Sequence, residues 1–152
     1  MLDIDRVWNR VAQLPQYREK KLSDFVLQDL TYSTQLQPTQ TVPNQNVVFP
    51  AGAIIVGVGG AATLDASAAT VVTRNGLDLF KLAISDQQTG RTIAGTAQVA
   101  GIALFGQYND RFPAKELIIP AQGGLIYSLT NLTSSIINLF LTHSCLVPAV
   151  VG

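Results

Sequence analysis

The side chains able to do chemistry are few, and two of them lie close together near the C-terminal end. His143 is the only histidine, and Cys145, two positions on, is the only cysteine. In a strand, residues so spaced share a face and stand roughly 7 Å apart, outside contact. A nucleophile and its base need hydrogen-bond reach, so this spacing alone does not make such a pair. His143 has the parity of Ile137, Leu139 and Leu141. A histidine on an apolar face is expected to be a hydrogen-bonded core residue, and Cys145 a buried thiol. The carboxylates Asp65, Asp78, Asp86, Asp110 and Glu116 are scattered along the chain. An acid–base pair would require folding to bring two of them into one cleft. No His/Cys/Asp cluster has metal-ligand spacing, and DQQTG departs from the calcium-loop pattern. GVGGAAT has neither the Lys-Ser/Thr end of a phosphate loop nor the spacing of a dinucleotide fingerprint. Its glycines read as a turn and close backbone packing. Asn131-Leu132-Thr133 fits the N-glycosylation acceptor pattern, but its place in a turn is reason enough for it. No catalytic, cofactor-binding or metal-ligating residue is expected, no cofactor, and no enzymatic activity.

The elements that carry these residues are strands. From Leu117 to Thr142 the chain reads LIIPAQGGLIYSLTNLTSSIINLFLT. Leu125, Tyr127 and Leu129 alternate with Ile126, Ser128 and Thr130, and Ile137, Leu139 and Leu141 repeat the pattern. A period of two is the strand signal, and the polar NLTSS between the runs has hairpin length. Phe80, Leu82 and Ile84 alternate in the same way within an expected strand 77–85. Asn75-Gly76 before it is the strongest short turn signal in the chain. Counted along the whole chain, seven or eight short strands follow an N-terminal helical arm, with turn signals at roughly ten-residue spacing, the pattern of an antiparallel β-sandwich or jelly roll. No helical run separates them, so an alternating βαβ fold is excluded.

The first residues differ. Ile4, Val7, Trp8, Val11 and Leu14 recur at three- and four-residue spacings, the stripe of an amphipathic helix that ends at Pro15. A second short helix is expected within 16–24, which includes Tyr17. Such a segment is too short to stand alone. Its stripe must meet either its own β-domain or a neighbouring subunit, with Trp8 as an aromatic anchor. Residues 26–33 read as a strand or extended arm. QLQPTQTVPNQN, with Pro38 and Pro43, reads as an extended connector. The expected division is an arm and connector over residues 1–46 and an all-β sandwich over residues 47–152.

Composition narrows the partners. Of 152 residues, 47% are hydrophobic and only 13% charged, and the formal net charge is zero. Roughly a quarter charged is usual. No basic patch suggests a nucleic-acid groove. The apolar stretches are too short or interrupted to span a bilayer, and MLDIDRVWNR carries charges where a signal peptide is apolar. The chain is expected to be made in the cytoplasm, with neither nucleic acid nor membrane as a partner. A weakly charged surface rich in Gln, Asn, Thr and Ser is better suited to burial against other subunits than to free solution.

Three stretches resemble small accessory structural proteins of tailed-phage particles: YREKKLSDFVLQDLTYSTQLQPTQTVPNQN, DLFKLAISDQQTGRTIAG and ALFGQYNDRFPAKELIIPAQGGLIYSLTNLTSS. The likeness is to β-sandwich proteins that cement or decorate a capsid, or sit at a portal vertex. It implies a non-enzymatic virion component, self-associating and often trimeric, bound to the major capsid protein through an extended arm. On that reading Ile4, Val7, Trp8, Val11, Leu14 and Tyr17 meet the capsid or a neighbouring subunit. Two other readings stay open. One is a host-surface or carbohydrate-binding module with Tyr108, Phe112 and Tyr127 at a shallow site, or a fibre component. The other is an enzyme on a cupin-like barrel, for which one histidine is too few.

Overall fold

The structure is a computed structural model and describes residues 4–65, 76–87, 90, 92–105, 117–118 and 124–149. One short helix, α1 (Ile4–Val11), opens the chain, followed by single 3-10 turns at Pro15–Tyr17 and Leu22–Asp24. The strands are β1 (Phe25–Leu36), β2 (Thr41–Val48), β3 (Ile54–Leu64), β4 (Phe80–Asp86), β5 (Thr92–Ala100), β6 (Leu117–Ile118), β7 (Gly124–Asn131) and β8 (Ile137–Pro148). A five-residue helix, α2 (Gly101–Phe105), follows β5.

The strands form two four-stranded antiparallel sheets, in the orders β1-β8-β3-β6 and β2-β7-β4-β5. Consecutive strands change sheet at every step except β4 to β5, which pair directly. That is the strand order of an eight-stranded jelly roll. The all-β sandwich expected from the alternating runs is what forms, preceded by a short helix.

Alternation sets which side chains meet between the sheets. Phe80, Leu82 and Ile84 of β4, Leu125, Tyr127 and Leu129 of β7, and Ile137, Leu139 and Leu141 of β8 all lie in one buried core. Phe140, of opposite parity, is exposed. Period-two patterning thus assigned the inner face correctly. It did not assign the neighbours. The two runs flanking NLTSS are β7 and β8, which lie in different sheets and face each other across the core. No hairpin joins them. A strand's inward face looks the same to the sequence whether the next strand lies beside it or opposite it.

Three boundaries also differ from expectation. The sandwich begins at Phe25, because β1 and β2 form an edge of each sheet. The connector reading failed at β2 because an edge strand tolerates proline and a bulge. Pro43 sits there, where the register slips between Val42 and Gln45. β4 starts at Phe80 rather than residue 77. GVGGAAT lies inside β3 rather than in a turn. Its close-packing role does hold: a Cβ on Gly60 would stand 2.7 Å from the Phe105 ring. Gly76 adopts φ +69°, and a Cβ there would land on the Ala62 carbonyl. The residue before it, Asn75, lies outside the described residues, as do the loop 107–115 and residues 66–73.

Candidate functional site

The six residues of the expected contact surface come together, on the chain's own sheet. Ile54, Val56 and Leu146 point away from the main core, since Ile55 and Cys145 beside them point into it. Val11 and Tyr17 are buried on that outer patch, with Ile4, Val7, Trp8 and Leu14 packed around them. Phe25, the first residue of β1, takes the Trp8 ring at 5.3 Å and the Tyr17 ring at 6.1 Å between centroids. Burial raises the Tyr17 hydroxyl pKa. A register slip between Ile55 and Gly57 makes Val56 an extra residue on β3. It adds apolar area to the face that α1 covers. Burying large side chains of this kind stabilises by about 1.5–3 kcal/mol each.

The chemically capable residues are buried between the sheets. His143 on β8 is fully buried. Its Nδ1 lies 2.9 Å from the Leu30 carbonyl oxygen and its Nε2 lies 2.6 Å from the Tyr127 hydroxyl. A carbonyl oxygen only accepts, so Nδ1 carries the proton. In the neutral ring Nε2 then accepts from the Tyr127 hydroxyl. The bond joins the two sheets through the core. Tyr32 stacks on Tyr127 with rings nearly parallel, and donates its hydroxyl to Gln45 Oε1 at 3.1 Å. Phe49 meets the His143 ring edge-on at 5.0 Å.

Burial lowers the His143 pKa, with the hydrogen bond to Leu30 opposing, and drives the Tyr127 pKa far above its usual range. Cys145 is pushed up to about 12, by burial first and by Asp29 second. A thiol so placed is not a nucleophile at neutral pH. Both ring nitrogens of His143 are engaged, so the ring is neither a ligand nor a base for an outside substrate. Sequence parity anticipated the burial of His143 and Cys145. It gave no sign of Tyr127 as the partner across the core, because the bond depends on two sheets meeting.

Asn131 is the second residue whose role emerges only in the fold. It ends β7 and is 1% exposed. Its Nδ2 lies within reach of the carbonyls of Leu36, Gln37 and Ser135, and its Oδ1 accepts from the amide and hydroxyl of Thr133. One side chain therefore holds the β7–β8 crossover and the β1–β2 turn together. Its amide is not free to take a glycan.

Two of the carboxylates lie at opposite ends of the sandwich. Asp65 follows β3 where its amide bonds the Ile136 carbonyl, and Asp86 pairs with Leu125 at the other end of the sandwich. They do not share a cleft. Asp110 and Glu116 lie outside the described residues, as do Tyr108 and Phe112 of the shallow-site reading. Tyr127, the third aromatic of that reading, is fully buried and no surface residue. Among the described residues no three His, Cys, Asp or Glu side chains group as a metal site. No helix there is long and apolar enough to cross a membrane.

A shallow groove of about 600 Å³ runs between the edges of β1 and β2, with Leu30, Tyr32, Val47 and Phe49 among its lining. Val48 in that lining is 67% exposed, and Val26 and Leu27, nearer the start of β1, are 47% and 52% exposed.

No family model matches the chain, and no curated protein matches it. Among solved structures it is similar to a chain of the cyanophage Pam1 capsid asymmetric unit. The identity is 15% and the TM-score 0.44, over 82% of this chain and 87% of that one. A likeness of that size carries no argument here.

Proposed function

We propose that the protein is a non-enzymatic structural component of a phage particle, which self-associates and binds the major capsid shell as a cement or decoration protein. The observation that carries this is the jelly-roll strand order, β1-β8-β3-β6 over β2-β7-β4-β5. Jelly rolls serve mainly in capsids, lectins and cupins. A fold alone does not name a function, so the side chains must choose among these. A cupin centre is built from free imidazoles, and the single imidazole here is spent on Tyr127 and Leu30. A glycan site needs exposed aromatic faces, whereas Tyr127 is fully buried and Tyr32 is half-buried with its ring stacked on it. A weakly charged skin and exposed apolar edge residues fit a subunit that is covered when assembled.

The test is occupancy on particles. Virions from the phage that encodes this chain are purified, stripped of the protein, and incubated with purified protein. Saturable rebinding, with density for the jelly roll on the shell by cryo-microscopy, is the expected result. A protein abundant in lysates yet absent from washed particles, and unable to bind stripped shells, overturns the reading. Saturable binding to one glycan class on an array, without particle occupancy, replaces it with the host-surface reading.

A further inference from the structure

We propose that the free edge of β1 is a self-pairing site, which takes β1 of a second copy antiparallel about a two-fold axis. The proposal deepens the self-association named above by giving its surface.

An exposed strand edge offers unpaired amides and carbonyls to any other strand, and proteins normally guard it. Three of the four edges here are guarded. β6 is two residues long. β2 carries Pro43, a register slip, and Asn44 at φ 56°. β5 slips register twice against β4. β1 differs from all three. It runs 12 residues, pairs with β8 in unbroken register, and holds no proline, lysine or arginine. No described strand pairs with its other side. Among the described residues, three of the five exposed large hydrophobic side chains lie on β1 or in the groove beside it: Val26 and Leu27 on β1, and Val48 in the groove lining.

The occupant follows from charge and symmetry. Asp29 is the only charge on β1. Residues directly opposite in an antiparallel pair point to the same face. The axis must therefore pass through a residue position. Centred on Leu30, it sets Asp29 opposite Thr31 of the partner subunit. Centred on Thr31, it sets Asp29 opposite Ser33 of the partner subunit. In both registers the one carboxylate meets a hydroxyl donor and never its own copy. It already accepts from Ser144 within its own sheet at 3.0 Å. The strand is thus complementary to itself. Such an isologous contact closes at two copies, so it gives a dimer rather than the trimer that the resemblance to phage structural proteins implies.

The experiment is light scattering and native mass measurement on the full chain, with three variants. Wild type is expected to be a concentration-dependent dimer. Thr31→Glu faces Asp29 in one register and itself in the other, so like charges oppose in both; dimerisation should weaken tenfold or more. Thr31→Lys reports the register: tighter association means an axis at Leu30, looser association an axis at Thr31. Thr63→Glu, on an exposed site of β3, should leave the dimer unchanged. Melting of Thr31→Glu at concentrations where wild type is monomeric should match wild type, which separates association from folding. A wild-type chain that stays monomeric at hundreds of micromolar, a trimer, or a dimer indifferent to both Thr31 variants overturns the proposal. A β1-dependent dimer that never appears on particles would leave it standing while the virion reading fails.

Discussion

Tyr127→Phe tests the interior most sharply. The substitution removes one hydroxyl and keeps the ring, its stacking on Tyr32 and the surrounding volume. It leaves Nε2 of His143 without a donor, because Nδ1 is committed to the Leu30 carbonyl. An orphaned buried acceptor costs about 1–3 kcal/mol. In a domain of this size about 1 kcal/mol moves Tm by roughly 2–4 °C, so Tyr127→Phe should melt roughly 2–12 °C lower. His143→Phe strands the hydroxyl instead. The double variant removes both partners and should lose less than the two singles together, with a coupling of about 0.5–3 kcal/mol. The pair also sets an acid dependence. Burial holds the folded-state pKa of His143 below its unfolded value. The unfolded chain therefore gains the proton first as pH falls below about 6.5. Stability from this group is complete above that pH. Below it, stability declines by up to about 1.4 kcal/mol per pH unit until the folded-state pKa is reached. Urea melts at pH 7.5 and 5.5 read both effects, and His143→Phe should remove its share of the acid loss. A Tyr127→Phe protein that melts with wild type, or an acid loss unchanged in His143→Phe, would refute the cross-sheet bond.

Three further outcomes follow from named contacts. Gly76→Val should lower stability by more than about 1 kcal/mol, because a side chain there meets both a positive φ and the Ala62 carbonyl; a thermal scan without loss would reject that geometry. Asn131→Ala should cost about 2–3 kcal/mol in urea titration, since the bonds of its amide to the Leu36, Gln37 and Ser135 carbonyls and of the Thr133 amide and hydroxyl to its oxygen are removed together. Deleting residues 1–24 uncovers Ile54, Val56 and Leu146, each worth about 1.5–3 kcal/mol when buried; the truncated protein should melt lower and bind a hydrophobic dye, and an unchanged melt would mean that the helix does not stabilise the sheet.

The sequence by itself determined the fold class and the inner faces. Phe80, Leu82, Ile84, Leu125, Tyr127, Leu129, Ile137, Leu139 and Leu141 all point inward as their alternation requires, because a pleated strand turns successive side chains to opposite sides. The burial of His143 and Cys145 follows from the same rule. The α1 stripe was legible as a helix face, though not which surface it meets. Only the tertiary structure decided which strands are neighbours. Pairing is made by backbone groups that every residue shares, so side-chain periodicity cannot tell an adjacent strand from an opposing one. That is why NLTSS reads as a hairpin and is a crossover, and why QLQPTQTVPNQN reads as a connector while its second half forms an edge strand. The bond from Tyr127 to His143 and the five contacts of Asn131 depend on those same long-range pairings. They join residues whose proximity is fixed by how two sheets close on one another, and no local pattern encodes that.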